Sequence, residues 1–227
     1  METASLSPVI VEFDAPLGTA ARPHWRGRLH VFAFLAALPL LAAMTVLADG
    51  RRARFAVVVY AAGLCSMFLV SATYHRWVHT LHARALWRRA DHATIYAAIA
   101  GTFTPICLIG APNGIGPAVL VLMWTGAFIG MSMKIFGWRH ARIAGGILYI
   151  GLGWAGMIVM PQLWQHAGAW PSLLIMIGGA FYTIGAIWFH RQWPKLRPAV
   201  FSYHEIWHAC TVVAAFAHLA AVWLIVA

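Results

Sequence analysis

The sequence predicts an all-α integral membrane protein of seven transmembrane helices, with the N-terminus cytoplasmic and the C-terminus outside. Composition, the length of the apolar runs and the distribution of Lys and Arg each point that way. Of 227 residues 62% are hydrophobic and 10% charged, and the mean hydropathy is +0.74. A soluble domain carries roughly 25% charged residues, so a soluble class is excluded. The longest polar stretch is residues 1–28, METASLSPVIVEFDAPLGTAARPHWRGR, which leaves no room for a separate soluble domain. It is expected to be a largely disordered cytoplasmic tail before a transmembrane domain at 29–227. It lacks an apolar core followed by a cleavage site, so no signal peptide is expected.

Crossing ~30 Å of hydrocarbon as a helix takes about 20 apolar residues. Seven runs qualify, in order 29–48, 55–78, 90–110, 117–136, 142–161, 171–190 and 202–226. Their connections are short and several carry Pro or Gly, as in Ala111-Pro112-Asn113-Gly114 and Trp170-Pro171. Continuous apolarity, without alternation, fits helices rather than a β-barrel, because backbone facing lipid must satisfy its own hydrogen bonds. With seven spans, the tail and every second loop share one side. That side holds Arg22, Arg26, Arg28, Arg76, Arg84, Arg88, Arg89, Lys134, Arg139, Arg142, Arg191, Lys195 and Arg197. The other side holds only Arg51, Arg52 and Arg54, and this bias of thirteen to three sets the orientation. It also accounts for the net charge of +10 without a nucleic-acid partner, for which there is no basic domain. Trp25, Trp77, Trp87, Trp138, Trp164, Trp170 and Trp193 near helix ends suit interfacial anchoring. Cys65, Cys107 and Cys210 each lie in an apolar run without a C-x-x-C pair, as packing residues do.

Six carboxylates occur in the chain, and Glu2, Glu12, Asp14 and Asp49 fall in the tail or the first loop. Asp91 and Glu205 remain, at the cytoplasmic ends of the third and seventh runs. An ionisable group within a span costs about 2.5–3.5 kcal/mol on insertion scales and marks a functional position. The second run ends inside with Ser71-Ala-Thr-Tyr-His75, the third begins inside at Asp91-His92, and the seventh at His204-Glu-Ile-Trp-His208. Topology therefore brings three distant segments to one depth. His204 and His208 stand one turn apart, about 40° around the helix, and can share one metal ion. His75 can supply a third nitrogen. Three imidazoles with an open fourth position make a catalytic zinc arrangement, in which bound water is acidified. Asp91 can hold that water or orient a ligand, and Ser71, one turn outward from His75, can contact the water or a substrate carbonyl.

Ser-x-x-x-His, an Asp 16 residues after that His, His-x-x-x-His opening the seventh helix and Gly101-Thr-Phe-Thr-Pro105 together resemble the hemolysin III family. Its eukaryotic relatives are the progestin and adipoQ receptors, including the adiponectin receptors. The resemblance implies a seven-helix fold with the N-terminus inside and Zn²⁺ near the cytoplasmic face. Its ligands would be His75, His204 and His208, with Asp91 binding through a water and Ser71 lining the site. The wider superfamily includes alkaline ceramidases, which implies zinc-dependent hydrolysis of a membrane lipid amide or ester, with Asp91 and Ser71 as catalytic residues.

Competing readings attach to particular residues. HEIWH also matches the H-E-x-x-H of metalloproteases. Glu205 would then be a general base, yet it points about 100° away from His204 and reads better as a surface or supporting residue. His218 lies ten residues beyond His208, about 15 Å along the helix, and reads as a packing histidine. Paired haems would need a second helix with matching spacing, but Ala61 stands 14 residues before His75. His79, His82, His92, His140 and His190 read as loop or interfacial residues. The non-enzymatic alternative is a membrane-homeostasis, sensor or receptor protein with structural zinc. A pore-forming haemolysin is the weaker one, since no run carries a polar stripe. Lipid is the expected substrate or ligand, and the cell inner (plasma) membrane the expected location.

Overall fold

The computed structural model describes residues 23–138 and 141–227. Among them every regular element is helical: α1 (Arg28–Leu47), α2 (Gly50–Arg76), α3 (Leu81–Pro105), α4 (Gly116–Ile135), α5 (Ala141–Ala155), α6 (Met160–Ala167), α7 (Ala169–His190) and α8 (Tyr203–Val226). A π turn, Ile106–Gly110, prolongs α3, and a 3₁₀ turn, Gly156–Val159, joins α5 to α6. Counting α5 and α6 as one, seven segments are long and apolar enough to cross a membrane. Large apolar side chains point outward from them, Val46 at 76% and Ile147 at 69% exposure, as a lipid-facing surface requires and a watery one would not tolerate. Cys65, Cys107 and Cys210 are free thiols.

Three boundaries differ from the sequence expectation. The third span begins at Leu81 rather than at residue 90. Its first turns carry Arg84, Arg88 and Arg89, too polar for a hydrocarbon window but good helix formers, and Thr80 caps them by accepting from the Ala83 N–H at 3.3 Å. Asp91 therefore sits well inside a helix, not at its start. The fifth span continues to Ala167, because Pro161 falls in the first turn of α6, where a missing N–H costs nothing. The second span begins at Gly50 rather than at residue 55, and the other four begin and end within two residues of the apolar runs.

α3 is the axis of the bundle. It packs against α2 and α4 most extensively and also meets α5 and α8, while α1 closes against α8. Two apolar cores flank it. One joins Leu41, Val57, Phe68, Leu219 and Val222 from α1, α2 and α8, and the other joins Tyr96, Phe103, Met123 and Leu163 around α4 and α6. The α2–α3 seam depends on small residues. A Cβ on Gly63 would lie 2.6 Å from the Ala97 carbonyl oxygen, and one on Gly101 3.2 Å from that of Val59.

Of the expected tail, 1–22 lies outside the described residues. The segment from Pro23 to Gly27 runs beneath the bundle, where the His24 and Trp25 N–H groups donate to Ala199 and Val200 in the α7–α8 loop, at 3.1 and 3.2 Å. Gly27, at φ 76°, lies so close to α2 that a Cβ there would meet His75 Cβ at 2.8 Å. The start of α1, the end of α2 and the start of α8 therefore meet at one end of the bundle.

Candidate metal centre

At that end the last turn of α2 delivers His75 and the first two turns of α8 deliver His204 and His208. One ring nitrogen from each lies within 4.8 Å of the others. The His204 and His208 rings stack with centroids 4.8 Å apart, as a four-residue helical spacing produces, and His75 stands edge-on to both at 4.8 and 4.9 Å. Phe189 of α7 meets the His204 ring edge at 5.3 Å and limits its rotation. His75 and His208 are 8% and 4% exposed, so the cluster is largely withdrawn from solvent.

The three nitrogens could hold one metal ion, and one pair stands at the spacing that zinc ligands take. Tetrahedral coordination with Zn–N of about 2.0–2.1 Å places ligand nitrogens about 3.3–3.4 Å apart. The Nε2 atoms of His75 and His204 are 3.4 Å apart, a separation that gives a hydrogen bond little and suits two ligands of one ion. Three neutral imidazoles favour a late first-row divalent metal over Mg²⁺ or Ca²⁺.

Asp91 falls outside that close nitrogen set. The hydroxyl of Ser71, buried on α2 one turn from His75, lies near its carboxylate. A cavity of about 270 Å³ opens on another side of α3, between Ala90, Ala93 and Ala97 and the α4 residues Met131 and Ile135, and does not touch the histidines.

Glu205 is not a surface residue: it is 1% exposed. Its Oε2 accepts from the Ser202 backbone N–H at 2.9 Å, capping α8, and its Oε1 pairs with Arg26 Nε at 2.5 Å. Both carboxylate oxygens are thereby engaged. His218 donates from Nε2 to the Ile175 carbonyl oxygen at 3.1 Å on α7, away from the triad, and is a helix-packing residue. His79, His82, His92 and His190 are exposed, and His140 lies outside the described residues.

One polar residue of this region was not anticipated. His30, on the first turn of α1 and 3% exposed, places its Nε2 3.0 Å from His208 Nδ1, with ring centroids 4.1 Å apart. It stands alone in its apolar run, without the paired spacing that marks His204 and His208. The available signal was depth, since a first helix entering from inside sets residue 30 level with the end of the second and the start of the seventh.

The family model described as "Haemolysin-III related" matches residues 19–219. The chain is 32% identical over 182 residues to "Hemolysin-3" of Bacillus cereus, covering 79% of this chain and 80% of that one. It is 26% identical over 183 residues to the "Hemolysin-3 homolog" of Bacillus subtilis (strain 168), covering 79% and 83%. It is also 23% identical over 199 residues to the human "Monocyte to macrophage differentiation factor", covering 86% and 80%.

Proposed function

The chain belongs to the haemolysin III family, and from that premise we propose that it is a zinc-dependent hydrolase acting on an amide or ester of a membrane lipid. The convergence of His75, His204 and His208 within 4.8 Å carries the reading. A zinc ion there supplies a Lewis acid and lowers the pKa of a water toward 7. The protein's own groups do the remainder. His75, His204 and His208 would hold the ion, leaving coordination capacity for a water or substrate oxygen. The Asp91 carboxylate takes a proton from the attacking water and returns it to the leaving nitrogen or oxygen, acting first as base and then as acid. The Ser71 hydroxyl keeps that carboxylate aimed. Lipid reaches the site laterally, between helices whose outward faces are apolar.

Burial of the triad also supports a second reading, in which the metal fastens α2 to α8 and the protein senses or maintains membrane state without turnover. Purified wild type and Asp91→Ala separate the two, with bound zinc and fatty acid release from ceramide-like lipids measured in detergent. The hydrolase reading expects zinc in both and release only by wild type. Zinc in both without release from wild type removes the hydrolase and leaves the structural metal.

A further inference from the structure

We propose that His30 is a positioning residue for the metal centre, accepting a hydrogen bond from the Nδ1–H of His208 and so reserving His208 Nε2 for the ion. The inference rests on the metal reading of the triad.

Three observations on α1, α2 and α8 carry it. Both ring nitrogens of His30 approach Nδ1 of His208, the ring nitrogen nearer the backbone, Nε2 at 3.0 Å and Nδ1 at 3.2 Å. An imidazole can donate from one nitrogen and ligate through the other, and engagement of Nδ1 leaves Nε2. His75 and His204 approach each other through their Nε2 atoms too, so all three rings would present the same nitrogen. Secondly, His30 has little freedom to do anything else. It is 3% exposed, and the ring of Phe68 on α2, itself fully buried, packs against it at 5.3 Å. Its ring nitrogens meet His208. An apolar residue would fill that space without the cost of burying an imidazole, so the ring nitrogen is what the position uses. Thirdly, His30 is outside the set of nitrogens close enough to share one ion. It touches a ligand rather than the ion.

Its placement gives α1 a part in the site. Gly27 lies against His75 and Arg26 pairs with Glu205, so one short segment braces both helices that carry the histidines. His30 is the point at which that brace reaches a ligand ring.

The test is zinc affinity, by chelator competition on the full chain in detergent, for wild type, His30→Leu, His30→Gln and His208→Ala. Loss of a residue that orients a ligand typically lowers metal affinity about 10–100-fold. His30→Leu is therefore expected to keep one ion per chain and bind it roughly 10–100-fold more weakly. His30→Gln, whose amide oxygen also accepts, recovers most of the loss. Wild-type affinity in His30→Leu overturns the proposal. So does loss of the ion as complete as in His208→Ala without recovery by Gln, which would make His30 a ligand. Where His30→Leu does not fold, ¹⁵N shifts of His208 in wild type decide, and a proton on Nε2 rather than Nδ1 contradicts it. A wild type that binds no zinc defeats the metal reading itself, a result distinct from the other two.

Discussion

Glu205 and His218 show how neighbouring residues of one helix divide between fastening and chemistry. Glu205 caps α8 and pairs with Arg26, so it holds the first turn that presents His204. A cap is worth about 0.5–2 kcal/mol and a partly exposed ion pair about 0.2–1. The larger cost of stranding a buried charge does not apply in full, because the Arg26 side chain is 24% exposed and water can reach it. Glu205→Ala is thus expected to destabilise the protein by about 1–3 kcal/mol in detergent unfolding, and Glu205→Gln, which keeps the cap, by less than about 1. Both should retain bound metal, whereas a general base at this position would predict intact stability with turnover abolished. His218→Ala should also keep the metal while losing the bond to Ile175. The triad was legible because a four-residue spacing and a common depth are both local patterns. Of the two readings of Glu205, surface and supporting, burial excludes the first; that was illegible because the burial depends on Arg26, 179 residues away in sequence, and no local pattern encodes that contact.

At the scale of elements, α2 and α3 set the distance between His75 with Ser71 on one side and Asp91 on the other. Their contact is close because Gly63 and Gly101 face backbone. Gly63→Ala would drive a Cβ toward the Ala97 carbonyl oxygen, which unlike a side chain has no rotamer to escape to. Overpacking of this kind costs about 1–3 kcal/mol, measurable as a lowered unfolding midpoint, and separation of the helices should weaken the Ser71–Asp91 contact and with it any turnover. A silent Gly63→Ala would show that the seam adjusts freely. The same elements mark the limit of reading helices from apolar runs. A hydropathy window finds the part of a helix that lies in hydrocarbon, so it recovered most spans closely. It missed Gly50 to Arg54 and Leu81 to Arg89, where three arginines in each continue the helix beyond the apolar region, and the turns after Pro161, where a proline restarts a helix rather than ending it.

The whole molecule is a bundle whose seven spans bring residues from opposite ends of the chain to one face. Thirteen of sixteen Lys and Arg residues fall on the side expected to be cytoplasmic. Reporter fusions are therefore expected to place the N-terminus inside and the C-terminus outside, and the reverse would put the candidate centre at the outer face. The fold class and the three histidines followed from composition, spacing and parity of spans. His30 did not, because its meaning lies in a contact between the first and last helices that only the assembled bundle makes.

The central claim is that three histidines from two helices hold one ion. Elemental analysis of the purified protein tests it directly, with zinc counted per chain in wild type, His75→Ala, His208→Ala and His218→Ala. About one zinc per chain in wild type and His218→Ala, with loss from His75→Ala and His208→Ala, is the predicted result. Zinc retained in His75→Ala, or lost from His218→Ala, would contradict it.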